Sequence, residues 1–261
     1  MLRIAIGFVF GLLLLSPALA YTTTKTWLDP SFINQAFLDV ALKNEYSEGN
    51  KPLVKWKKPI KVWVEHKVAD QDLHDELTNA QLRDLSSITR HPIERVSRRE
   101  QANIIWIYTR ESDWRKDIEK EIGPSALKNI HGALCKAGYR VNQVTSEIDS
   151  AAVIIPVDQA REHGKLLACI VEEITQVMGL PNDAESAYPS IFNDETPEDL
   201  LSPLDVILLK MLYDPTLEPG MERAQVKKLA KKILNQYQRQ GVLNDAVAVS
   251  KSGELFQIAG Y

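Results

Sequence analysis

The stretch V-E-E-I-T-Q-V-M-G-L-P-N-D, residues 171–183, gathers the groups of this chain best placed to do chemistry. Glu172, Glu173 and Asp183 bring carboxylates, and Gln176 and Asn182 bring amides. Neighbouring carboxylates can pass protons or, as oxygen donors, hold a cation. Leu166, Ile170, Ile174 and Val177 fall on one apolar helical face, which predicts a buried helix over residues 165–178 that Gly179 halts. Glu172, Thr175, Gln176 and Gly179 recur on another face, with Glu173 beside them. Charges on so apolar a helix need partners, water or a ligand, because a lone buried charge is costly. Two readings stand: the stripe is solvated or salt-bridged, or it lines a cleft.

Several elements must position that helix. Residues 30–43 read as a lead-in helix with Phe32, Ala36, Phe37, Val40 and Ala41 on its apolar side, and residues 44–58 as a polar linker broken by Gly49 and Pro52. A strand at 60–66 alternates Ile60, Val62 and Val64 with Lys61, Trp63 and Glu65. A long helix over 69–89 follows, with Leu73, Leu77, Leu85 and Ile88 turned inward, and His91-Pro92 ends it. Strands at 93–96 and 103–109, a helix at 113–122 and an irregular edge strand within 130–141 come next. The apolar run A-A-V-I-I-P-V, 151–157, is a buried strand that leads straight into the central helix. His163 is placed in that helix's first turn. Ser202 caps a helix over 202–213 with Pro203 in its first turn. An amphipathic helix over 221–239 buries Val226, Leu229, Ile233, Leu234 and Tyr237, and Val247, Val249, Leu255 and Phe256 suggest a short terminal hairpin. The expected fold is α+β, a mixed sheet covered by helices, with an N-terminal lead-in helix and a C-terminal helix.

Residues 1–20 stand apart. Arg3, the apolar run 4–15 and the ending A-L-A form a secretory signal peptide cut before Tyr21, too short in its apolar part to span a membrane comfortably. No cysteine follows the cut to carry a lipid, so a periplasmic or secreted protein without a membrane span is expected. The organisation is then 1–20 leader, 21–58 lead-in helix and linker, 59–241 main domain and 242–261 tail. Losing Arg3 takes the 31 basic residues to 30 against 35 acidic ones, a balance that disfavours nucleic acid as a partner. Cys135 and Cys169, both in the exported part, suit one disulfide closing a loop worth roughly 3–4 kcal/mol on the chain-entropy view; two buried free thiols are the alternative. No two of the five histidines stand four apart to make a helical metal pair, and the G-x-S-x-G, P-loop and Rossmann glycine patterns are absent.

The order of elements is similar to that of metzincin-type zinc peptidases, whose active helix carries H-E-x-x-H-x-x-G-x-x-H. Laid on that pattern, Glu172 and Gln176 take the first two histidine positions, Glu173 the glutamate, Gly179 the glycine and Asn182 the third ligand. P-S-I-F-N-D resembles the Met-turn, with Phe192 at the methionine. All three ligand positions depart from the pattern. Zinc prefers imidazole, thiolate or carboxylate, whereas neutral amide oxygens suit a harder divalent cation. No metal site and no resident cofactor are therefore expected, a divalent cation being the one form of metal this set would take. The W-V-E-H, I-I-P-V-D, E-E-x-T-Q-x-x-G-L-x-N-D and P-S-I-F-N segments also resemble a bacterial family of exported proteins, some described as lipoproteins, catalogued only as a domain of unknown function.

Three functions follow from these readings. The first is a non-catalytic domain on a peptidase-like scaffold, its cleft lined by Glu172, Glu173, Gln176, Asn182 and Asp183 and holding a peptide or small polar ligand. The second is an atypical metal-dependent hydrolase in which Glu172 and Asp183 hold a divalent ion and Glu173 is the general base. The third is a structural envelope protein whose polar stripe is a buried hydrogen-bond network.

Overall fold

The computed structural model describes residues 26–43, 49–193, 195 and 198–260. The leader expected at 1–20, its cleavage before Tyr21 and residues 44–48 of the expected linker lie outside the described residues.

Five strands form one sheet in the order β2-β1-β3-β5-β4: β1 Ile60–His66, β2 Ile93–Arg95, β3 Ile104–Thr109, β4 Lys136–Val141 and β5 Ile148–Pro156. The first four in that order run parallel, and β4 alone runs antiparallel, paired with β5. Period-two alternation divides the core between the two faces of the sheet. Ile104, Trp106 and Tyr108 of β3, with Val153 and Ile155 of β5, enter the main core. Ile107, Ala152 and Ile154 enter a smaller one with Trp114 and Ile118 of helix α3, Glu111–Glu121. Helices on both faces bury β5 without a break from Ala151 to Pro156, which is why its sequence reads as an apolar run.

The main core lies under α1 (Pro30–Leu42), α2 (Gln71–Thr89), α5 (Leu166–Val177), α6 (Pro203–Leu212) and α7 (Arg223–Arg239). Asp29 caps α1, accepting from the amides of Ser31 and Phe32 at 2.7 and 3.0 Å, with Pro30 preset for the first turn. Ser202 and Asp205 form a capping box that starts α6. Gly179 ends α5 at φ 118°, where a side chain would collide with the carbonyl oxygen of Val54.

Five sequence-based expectations give way. Residues 51–58 are no free linker, since Leu53, Val54 and Trp56 are buried and the Trp56 indole donates to the Val177 carbonyl at 2.8 Å. β5 does not run into the central helix: a short helix, α4, Val157–Glu162, intervenes, and His163 follows it as its C-cap. Leu73 is 42% exposed, because it sits in the open first turn of α2. Regular pairing of the edge strand starts at Lys136 rather than near 130. The terminal hairpin is instead two helices, α8 (Val242–Lys251) and α9 (Glu254–Ala259). No helix of the described residues is long and apolar enough to cross a membrane.

Candidate functional site

The polar residues of α5 that reach the surface in part are the ones four apart. Glu172 and Gln176 are half-buried, whereas Glu173, one step round the helix, is 6% exposed. Thr175 turns its hydroxyl back on its own helix, donating to the Val171 carbonyl at 2.6 Å. Past Gly179 the chain reverses and brings Asp183 alongside. Gln176 Nε2 donates to Glu172 Oε1 at 3.4 Å and to Asp183 Oδ1 at 3.3 Å. Carboxylates only accept, so the amide must turn its nitrogen to them and its oxygen the other way. None of Glu172, Glu173 and Asp183 is without a partner.

Asn182, 7% exposed, points elsewhere. Its side-chain amide donates to the carbonyls of Asp39 at 3.1 Å and Asp183 at 2.7 Å, and its backbone amide donates to Val40 at 3.2 Å. These bonds pin the loop after α5 to the end of α1. Buried Asp39 is a second clasp, taking Gln35, Lys43, Ser186 and Arg223. Desolvation pushes its carboxyl up, but the bonds from Lys43, Gln35 and Ser186 outweigh that and hold it below the usual carboxylate range.

Gln176 and Val177 lie on the wall of a cavity of about 700 Å³. The same cavity is bordered by Lys136, Ala137, Gly138, Tyr139 and Val141, five of the six residues of β4. Lys43, Lys51 and Val54 close its third side. Glu172, Glu173, Asn182 and Asp183 are not among the described residues that line it. The structure thus joins Glu172, Gln176 and Asp183 in one cluster, with Gln176 alone on the cavity, Asn182 turned to α1 and Glu173 buried. Cys135, at the head of β4, is disulfide-bonded to Cys169 in α5, so one covalent bond spans the two walls. Sequence reasoning missed the third wall. Its signal was P-L-V-K-W, residues 52–56, an apolar segment inside a stretch that prolines and lysines made look solvated.

The histidines belong to other places. His66 Nε2 lies 3.0 Å from Asp75 Oδ1, and its ring stacks on Tyr108, which stacks in turn on His74 with centroids 4.4 Å apart. His91 bonds the Lys58 carbonyl, and His131 and His163 are exposed. Among the described residues no three His, Cys, Asp or Glu side chains are grouped so as to hold a metal ion.

The fold and this cavity define an α+β domain with a mixed five-stranded sheet, whose edge strand β4 runs antiparallel to β5, its one strand partner among the described residues. The chain belongs to the family described as "Protein of unknown function (DUF2927)", whose model matches residues 30–232. No curated protein and no solved structure matches the chain.

Proposed function

We propose that this chain is an exported, non-catalytic binding module that holds an extended peptide between β4 and α5, on a scaffold resembling that of zinc peptidases without their histidine ligands. The observation that carries this reading is the position of β4. It pairs only with β5 among the described residues, and it borders the cavity along nearly its whole length. A strand with one unpaired edge offers backbone N–H and C=O groups in a row, and an extended peptide completes the ladder. Gln176, its nitrogen engaged by two carboxylates, is left to accept from a peptide N–H on the facing wall. Export rests on the leader-like residues 1–20.

Burial of Glu173 supports binding over hydrolysis, since a general base must come within hydrogen-bond reach of the proton it takes. The test is nuclear magnetic resonance of the ¹⁵N-labelled chain during titration with a pool of unstructured peptides. Shifts confined to residues 136–141, 51–54 and 176–177 are expected. A pool that perturbs none of these, or perturbs the α7–α9 surface instead, overturns the reading.

A further inference from the structure

The cleft's chemistry points to the kind of peptide it takes. The protein is acidic as a whole, with 35 Asp and Glu against 31 Lys and Arg. Its cavity has a different lining: among the described residues Lys43, Lys51 and Lys136 border it and no Asp or Glu does, Lys43 being paired with Asp39 and Lys136 also having a partner. At the Lys43 end the imbalance extends outward. Asp39 is the carboxylate that Lys43 reaches at 2.9 Å, and it is shared with Arg223 at 3.4 Å. Arg223 also donates to Asn50, and the Lys51 amide donates to the Leu42 carbonyl, so this rim sets two cations on one buried carboxylate with Lys51 beside them. The C-terminal end of α1 contributes a partial negative charge of about half a unit, too little to cancel them. At the α5 wall, Glu172 and Asp183 stand behind Gln176, with its nitrogen turned to both.

We infer that the occupant of the cleft is an acidic extended peptide, its backbone along β4 and its carboxylates toward Lys51 and the Lys43–Arg223 rim. This rests on the binding reading above. A strand presents alternate side chains to one face, so acidic residues at every second position would meet the basic rim together. A concave wall carrying one sign of charge attracts opposite charge beyond contact range, and salt weakens that attraction.

The test uses three nonapeptides in which threonine alternates with glutamate, glutamine or lysine, each with a fluorophore, titrated with the full chain and read by anisotropy. The glutamate peptide is expected to bind about tenfold more tightly than the glutamine peptide in roughly 0.02 M salt, the lysine peptide most weakly, and the spread to collapse in roughly 0.5 M salt. Lys51→Glu, a change at an exposed side chain, should remove most of the preference, and Lys51→Gln part of it, with melting unchanged. Equal affinities for the three peptides, a preference for lysine, or full glutamate preference in Lys51→Glu would overturn the inference while leaving the cleft a peptide site. Failure of all three peptides to bind would overturn the cleft reading itself, and this inference with it.

Discussion

Cys135 and Cys169 bind the head of β4 to α5 across 34 residues of chain, with their Cα atoms 5.9 Å apart. The bond ties the two walls of the cleft just where β4 would otherwise be free to part from α5. Replacing both cysteines by serine should cost roughly 3 kcal/mol, because the unfolded chain regains the entropy of an open loop. The loss should be local as well as global. Hydrogen exchange is the check: amides of residues 136–141 should lose more protection than those of β1 and β3, and uniform loss would refute the clamp.

Asn182 and Gln176 are both amides near the cleft, and their roles separate by burial. Asn182→Ala leaves the carbonyl of buried Asp39 without its donor and frees the loop from α1, a cost of about 1–3 kcal/mol in chemical denaturation. Gln176→Ala removes a half-buried side chain with long hydrogen bonds, a cost below about 0.5 kcal/mol. Peptide binding should respond in the opposite order at Gln176, weakening there without loss of fold. A large stability loss at Gln176 would make that residue part of the scaffold.

Gly179 permits a test of packing against strain. Gly123 and Gly179 both hold φ well into the positive region, 128° and 118°, but a Cβ at Gly123 meets nothing within 4 Å while one at Gly179 runs into the Val54 backbone. Gly123→Ala should cost about 1 kcal/mol of backbone strain, and Gly179→Ala about 3 kcal/mol or more, since the 51–56 segment must shift as well. Equal losses in urea titrations would show that Val54 yields freely.

Much of this fold was legible because its signals are local. The alternation of β1, the apolar run of β5, the Ser202-Pro203 start of α6 and the stop at Gly179 each follow from a few neighbouring residues. The cleft was legible on one wall only. Gln176 stood out on the polar stripe, but nothing local says that Val54 and Lys51 come to face it, since that depends on Leu53 bonding the Met221 and Gly220 backbones far along the chain. Glu173 could not be told from Glu172 by type, only by the helical step that turns it inward. The C-terminal segment misled for a different reason: Val247 and Val249 alternate as a strand would, yet Leu243, Ala246 and Ser250 are the buried set, at helical spacing.

His74 gives stability a pH dependence of known sign. It is fully buried, and desolvation first, then the charges of Arg161 and His66, push its pKa down to about 4. The folded protein therefore keeps the ring neutral while the unfolded chain takes up a proton below about pH 6.5. Stability is full above that value and falls as pH drops toward 4, by roughly 1–2 kcal/mol at pH 5. His74→Phe keeps a ring to stack on Tyr108 and removes the titration, so its urea midpoint should change less between pH 7 and pH 5 than that of the unaltered chain. Identical changes would mean that another group carries the effect.

Asp205 pulls the other way in the same window, and it also fixes the loop beyond the cleft. Its carboxylate accepts from the Ser190 hydroxyl at 2.5 Å and from the amides of Ile191 and Ser202 at 3.2 and 2.8 Å, holding residues 190–192 on the first turn of α6. Burial is the dominant influence and raises its pKa to about 6, so the folded protein binds a proton that the unfolded chain releases above about pH 4. Its contribution to stability therefore falls as pH rises from about 4 to 6, opposite to His74. Asp205→Asn keeps the shape and one acceptor oxygen, and should cost about 1 kcal/mol while removing that slope; Asp205→Ala strands a hydroxyl and two amides and should cost about 3 kcal/mol at any pH. Denaturation of both variants at pH 4.5 and pH 7 decides the matter, and an alanine variant no weaker than the asparagine one would show that the loop is held by other contacts.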